Sequence, residues 1–229
     1  NDAIEISGND YEESTASAYA PCIYLPAGRY QVAYDYYAKN AAYVENFKVL
    51  YGMSLQTLEG VVAEHTFSNT EPVRAYNTIE ITEGGVYYFI IKGENAPGNM
   101  GFFVDNFSIK RLIRTNVYYA AHGDGTPEGQ LEVPEGEELT IEIVPEVGYH
   151  VFGIYKNQVL VRGENTDNAA VEYFTFVPNN YDNIYVDFTT NKYEINAIVE
   201  NYFATEYNDN ALGATYTPSH EVLYHGATH

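Results

Sequence analysis

The segment "GFFVDNFSIKR", Gly101 to Arg111, places a carboxylate where a strand favours apolar side chains. In strict two-residue alternation Phe103, Asp105, Phe107 and Ile109 share one face, and Phe102, Val104, Asn106 and Ser108 share the other. An unpaired carboxylate among such neighbours is expensive, so Asp105 needs a cation, an arginine or a set of N–H donors. Arg29 and Arg111 are the candidate arginines. The acidic segment "NDYEES", with Asp10, Glu12 and Glu13, is the candidate source of further oxygens for calcium, which takes roughly 6 to 8 of them.

Three other groups of residues have types suited to chemistry. The stretch "YDYYAKNAAYVENF" concentrates Tyr34, Tyr36, Tyr37 and Tyr43, whose rings suit either a sugar-stacking platform or the margin of a core. "HEVLYHGATH" brings His220, His225 and His229 close together, as zinc or nickel would require, although without helical spacing. "HGDGTPEG" contains Asp124 but lacks the acidic ladder of a calcium loop, and reads as a turn. Cys22 enters an apolar strand and reads as a small buried hydrophobe. Phosphate loops, nucleophile elbows and zinc-protease helices do not occur. Among 32 acidic residues any carboxylate spacing arises by chance, so a glycosidase pair has no support and no catalysis is expected.

Composition limits the partners. Formal charge is −21, from 32 acidic against 11 basic residues in 229. Phosphate binding relies on clustered Lys and Arg, so nucleic acid is excluded, and anionic lipid is disfavoured. No apolar run reaches the roughly 20 residues of a membrane helix, so membrane insertion is not expected. The opening Asn1 fits a mature or internal fragment, and one cysteine allows no internal disulfide. With 24 Tyr, 11 Phe and no Trp, the chain favours strands over helices.

The elements that must position these residues are strands. Tyr30, Val32, Tyr34 and Tyr36 share one face after the turn at Pro26-Ala27-Gly28, and Phe47, Val49 and Tyr51 share another. Ile79 and Ile81 alternate with polar residues before Gly84-Gly85 turns the chain into an apolar strand. These strands make an antiparallel all-β domain over residues 1–114. A small sandwich follows over 115–190, with Leu139, Ile141 and Ile143 alternating with Thr140, Glu142 and Val144, with Ile184, Val186 and Phe188 as one inward face, and with a hairpin across Lys156-Asn157. Residues 191–229 repeat the opening of that module at an offset of about 75 residues and stop before its central strands, so unpaired edges there await a partner.

The motifs "LPAGRYQVAYDYYAKN", "ENFKVLYG", "EGGVYYFIIKG" and "GFFVDNFSI" resemble the jelly-roll domains of bacterial surface proteins known as cleaved-adhesin or choice-of-anchor domains. The resemblance covers roughly residues 16 to 113, and the family's opening strand and Trp-containing loop are absent. "GEELTIEIVPEVGYHVFGIYKNQ" and "EYFTFVPNNYDNIYVDF" resemble the divergent internalin-type B-repeat, and the third unit is similar to its first half. The resemblance implies an antiparallel jelly-roll β-sandwich followed by small immunoglobulin-like modules, secreted by the type IX route and anchored at the outer membrane. It also implies a structural calcium held by the closing-strand Asp105. The expected function is adhesion to a glycan or a host or matrix protein, with the repeats as a stalk. The alternatives are a fibre or sheath subunit whose incomplete ends are completed by other copies of the chain, and an accessory carbohydrate-binding module of a secreted hydrolase.

Overall fold

The computed structural model describes residues 3–7, 14–58, 60–95, 101–165, 171–195 and 221–224. All regular structure among them is β, and they include no helix long and apolar enough to cross a membrane. The chain divides into two compact units. One holds 1–114 with 132–137; the other holds 115–131 with 138–229.

The first unit contains β1 (Ile4–Ile6), β2 (Ser14–Tyr19), β3 (Ile23–Leu25), β4 (Gly28–Ala38), β5 (Glu45–Gly52), β6 (Gly60–Phe67), β7 (Val73–Ile81), β8 (Gly85–Asn95) and the start of β9 (Phe102–Tyr119). They form two antiparallel sheets, in the orders β1-β9-β4-β7 and β2-β8-β5-β6. Strand β3 continues the edge that β2 begins, because both pair with β8. Counting β2 and β3 as one interrupted strand gives the jelly-roll order. The alternating residues meet between the layers: Tyr30, Val32 and Tyr34 from one sheet pack with Phe47, Val49, Phe89 and Ile91 from the other. The chain changes sheet at Gly84-Gly85, since β7 pairs with β4 and β8 with β5, so this turn closes no hairpin.

In the sheet that contains β4, alternation fails in β9. Asp35 pairs with Asp105 and Ala33 with Ser108, so Asn106 and Phe107 together face Tyr34. Asn106 takes a φ of 51°, the left-handed region that Asn tolerates better than most residues, and forms a β-bulge. The bulge reverses the phase of the strand. Phe102 and Val104 enter the core before it, and Phe107 and Ile109 pack on the core after it. Phe103 and Asp105 therefore lie on the opposite face from Phe107 and Ile109, contrary to the strict-alternation reading. Cys22 is also corrected, because it is exposed.

The second unit is a smaller two-layer sandwich. Its strands are the end of β9, β10 (Gly123–Thr126), the start of β11 (Gly129–Pro134), β12 (Leu139–Pro145), β13 (Tyr149–Lys156), β14 (Val159–Arg162), β15 (Glu172–Phe176), β16 (Asp182–Thr190), β17 (Lys192–Ile195) and β18 (Glu221–Tyr224). Strands β14-β13-β16-β9 form one layer, with β16 and β9 parallel, and β10-β12-β15 form the other. Ile141, Ile143, Ile154, Ile184 and Val186 are wholly buried between them. The hairpin between β13 and β14 turns on Asn157-Gln158, one residue later than expected, with φ of 52° and 68° as a type I′ turn requires.

Within "HGDGTPEG" His122 is in a turn, as expected, but "GDGT" is a strand: β10 pairs with β12. A Cβ on Gly123 would overlap the Phe188 ring, and one on Gly125 would overlap Tyr119 and the Glu142 carbonyl. Tyr119 uses that space to donate to the carbonyls of Pro127 (3.2 Å) and Glu142 (3.3 Å), and burial pushes its phenol up to about 12. Strands β17 and β18 pair antiparallel, Lys192 opposite Tyr224.

Candidate functional site

Because Tyr30, Val32 and Tyr34 point inward, the other face of β4 carries Gln31, Ala33, Asp35 and Tyr37. Registration with β7 and β9 turns that face into a grid. Its rows are Arg74–Asp35–Asp105, Tyr76–Ala33–Ser108 and Thr78–Gln31–Lys110. The small Ala33 side chain leaves a depression between Tyr76 and Ser108, part of a groove of about 540 Å³. Tyr76 is 66% exposed at its edge.

Charge is fixed in the first row. Arg74 Nη1 lies 3.3 Å from Asp35 Oδ1 and donates to the Asn106 carbonyl at 2.9 Å. Its Nη2 reaches Ser108 Oγ at 3.4 Å. Asn106 Nδ2 donates to Asp35 Oδ2 at 2.6 Å, so the bulge residue anchors the ion pair. The guanidinium carbon sits 5.7 Å from the Tyr76 ring centroid, within cation–π range. Lys110 pairs with Glu137 beside the groove. The result is a shallow polar floor that presents hydrogen-bonding groups beside one open ring.

Asp105 lies on this outward face, half-buried, and accepts the Asn106 N–H at 2.7 Å. It is thus not a carboxylate among core side chains, and the burial argument for a compensating cation no longer applies to it. The arginine of the site is Arg74, held by Asp35, whereas Arg29 pairs with Glu132 at 2.7 Å. Asp10, Glu12 and Glu13 lie outside the described residues, as do His220, His225 and His229. Among the described residues no group of three His, Cys, Asp or Glu is arranged to hold a metal.

The four tyrosines singled out by sequence separate. Tyr34 is fully buried, stacks on Phe107 and hydrogen-bonds His65 Nε2 at 2.7 Å and Asn77 Nδ2 at 3.3 Å. Burial raises its phenol pKa and lowers that of the His65 imidazole. Tyr36 packs against the core, its ring 4.5 Å from that of His65. Tyr37 is on the outer face, stacked on Phe103 at 5.0 Å. Tyr43 is half-buried in the turn after β4, where its N–H donates to the Asn40 carbonyl. Only Tyr37 shares a face with the groove. Sequence reasoning missed Arg74 and Tyr76, although "VRAYNTIEI" places both opposite in phase to Ile79 and Ile81.

No protein-family model matches the chain, and no curated protein sequence matches it. Among solved structures it is similar to the K3 cleaved adhesin domain of Lys-gingipain from Porphyromonas gingivalis W83, with 11% identity and a TM-score of 0.38, over 47% of this chain and 73% of that one. A family 16 carbohydrate-binding module is similar at 13% identity and a TM-score of 0.33, over 47% of this chain and 74% of that one. The CBM22-1 and GH10 modules of a Clostridium thermocellum xylanase, complexed with xylohexaose, match at 17% identity and a TM-score of 0.33. That match covers 51% of this chain and 29% of the xylanase.

Proposed function

We propose that the chain is a non-catalytic, extracellular adhesin-type module that holds a neutral glycan on the outer face of its jelly roll. The observation that carries this reading is the registered grid around Ala33. It offers an open tyrosine ring, an arginine held in place by Asp35, and hydroxyl and amide groups along one groove. Hydroxyls of a pyranose both donate and accept, and so satisfy Asp35 and Arg74 together, while its C–H face covers Tyr76. The test is a glycan array probed with the full chain and with Tyr76→Ala. The reading expects a glycan whose binding falls by about tenfold in the variant, a stacking contribution of about 1.4 kcal/mol. Binding to a matrix-protein array alone would replace the glycan with a protein ligand. Retention of insoluble polysaccharide would place the module beside a hydrolase.

A second reading, a fibre or sheath subunit, is favoured by β14, where Val159, Leu160 and Val161 are consecutive exposed residues on a strand that ends its sheet. Such an edge is a template for pairing with another copy of the chain. Sedimentation across a concentration series separates the two readings: a subunit assembles, and Leu160→Lys blocks the assembly.

A further inference from the structure

The second unit displays aromatic rings in an arrangement that the first does not have among the described residues. Inward Ile184, Val186 and Phe188 leave Asn183, Tyr185 and Asp187 on the outer face of β16. Tyr155 of β13 is registered with Tyr185, and Tyr185 with Tyr118 of β9. Three tyrosines thus lie side by side on adjacent strands, a row roughly 10 Å long at the usual strand spacing. Tyr118 and Tyr185 are 47% and 45% exposed.

The row has hydrogen-bonding groups on both sides. On one side Asn183 is registered with Asn116, whose Nδ2 donates to it at 3.0 Å, and the Asn183 N–H donates to Asn157 Oδ1 at 2.9 Å. On the other, Asp187 is registered with Gly153. That glycine has a role: a Cβ there would meet Tyr155 Cε2 at 3.2 Å and Leu160 Cδ1 at 2.9 Å. Its absence lets the Tyr155 ring lean back along its own strand. The rings of Tyr155 and Tyr185 then meet at 47°, with centroids 6.4 Å apart, as the walls of a shallow cavity of about 470 Å³.

We propose that this tyrosine row is a second binding site, for a linear neutral glycan, on the module expected to serve only as a stalk. The rings offer apolar faces to successive pyranose rings, and the amides on one side and Asp187 on the other meet their hydroxyls. A carboxylate accepts and does not donate, so the site asks for a ligand with donors along its rim. A proline-rich peptide presents carbonyls there and is disfavoured. An anionic ligand is opposed by Asp187 and by the formal charge of −21.

The experiment is affinity electrophoresis of the full chain in gels containing hydroxyethyl cellulose, galactomannan or arabinoxylan, with Tyr76→Ala as background to silence the jelly-roll groove. Retardation of the Tyr76→Ala chain by at least one polymer is expected. Adding Tyr185→Ala or Tyr118→Ala should weaken that retardation about five- to tenfold, while Tyr185→Phe, which keeps the ring, should preserve it. If Tyr185→Ala disturbs the circular dichroism, Asp187→Asn is read instead and is expected to weaken retardation in the folded protein. The inference is overturned if the Tyr76→Ala chain migrates unretarded in all three gels, or if folded Tyr185→Ala and Asp187→Asn are retarded as strongly as their background. Binding of a decaproline peptide that Tyr185→Ala abolishes, without any glycan retardation, would overturn it in favour of a peptide site. Loss of the jelly-roll reading alone would show as an equal retardation of wild type and Tyr76→Ala.

Discussion

Tyr34 in the first unit and Tyr185 in the second are both strand tyrosines, yet they have opposite fates. Tyr34 shares the phase of Tyr30 and Val32, and is sealed in the core with its hydroxyl held by His65 and Asn77. Tyr185 is out of phase with Ile184 and Val186, and stands in a row on an open face. Among the described residues the strand tyrosines therefore include two populations. The phase of each strand decides which rings hold the fold and which are free to touch a ligand.

The largest effect that sharpens this contrast is expected from an inner ring. Phe47 is 1% exposed and contacts the rings of Tyr34, Tyr36, Phe67 and Phe102. Phe47→Ala should cost about 3–5 kcal/mol in urea unfolding of the first unit, against less than about 0.5 kcal/mol for Tyr76→Ala on the outer face. Equal losses would erase the distinction. Next comes Gly125→Ala in the second unit, which forces Tyr119 from its place and should destabilise that unit by about 1–3 kcal/mol.

Acid should separate the two units. Burial holds the His65 imidazole below its unfolded value of 6.5, so the unfolded chain binds the proton more readily than the folded one. Its contribution is complete above pH 6.5 and is lost as pH falls through the lowered folded value. In the second unit, burial pushes Asp182 up, but Lys156, the Asn179 N–H and Asn157 together hold it below its unfolded value of 3.8. That contribution is present above pH 3.8 and is lost only at lower pH. Stability of the first unit should therefore begin to fall at the higher pH, and His65→Phe should flatten that early slope. A single transition with an unchanged slope in His65→Phe would contradict the assignment. The smallest effect is expected at Asp105, where Asp105→Asn should shift stability by less than about 0.5 kcal/mol. A calcium-dependent rise in melting temperature after chelation, abolished by Asp105→Asn, would instead establish an ion held by Asp105.

Local alternation was enough to group the side chains that share a face in β4, β5, β12 and β16, because each depends only on which side chains follow one another, but it left open whether the Tyr34 and Tyr36 face turned inward. What sequence could not reveal depends on distant partners. The bulge at Asn106 exists because two residues of β9 must face one of β4, and nothing within "GFFVDNFSIKR" marks that mismatch. The strand "GDGT" is glycine-rich because Phe188 and Tyr119 need the space, and the demand of Phe188 is set far along the chain. Gly84-Gly85 resembles a hairpin turn locally, but its flanking strands find partners in different sheets. The groove was half legible: the phase of Arg74 and Tyr76 follows from Ile79 and Ile81, whereas their meeting with Asp35 and Asn106 needs the register.

The most direct measurement is tyrosine nitration mapped by mass spectrometry on the folded chain, with and without a glycan that retards it. Tyr76, Tyr118 and Tyr185 should be nitrated in the free protein and protected in the bound one, while Tyr34 stays unmodified in both. Nitration of Tyr34 under native conditions, or outer rings whose reactivity no bound glycan alters, would contradict the division of labour between the two populations.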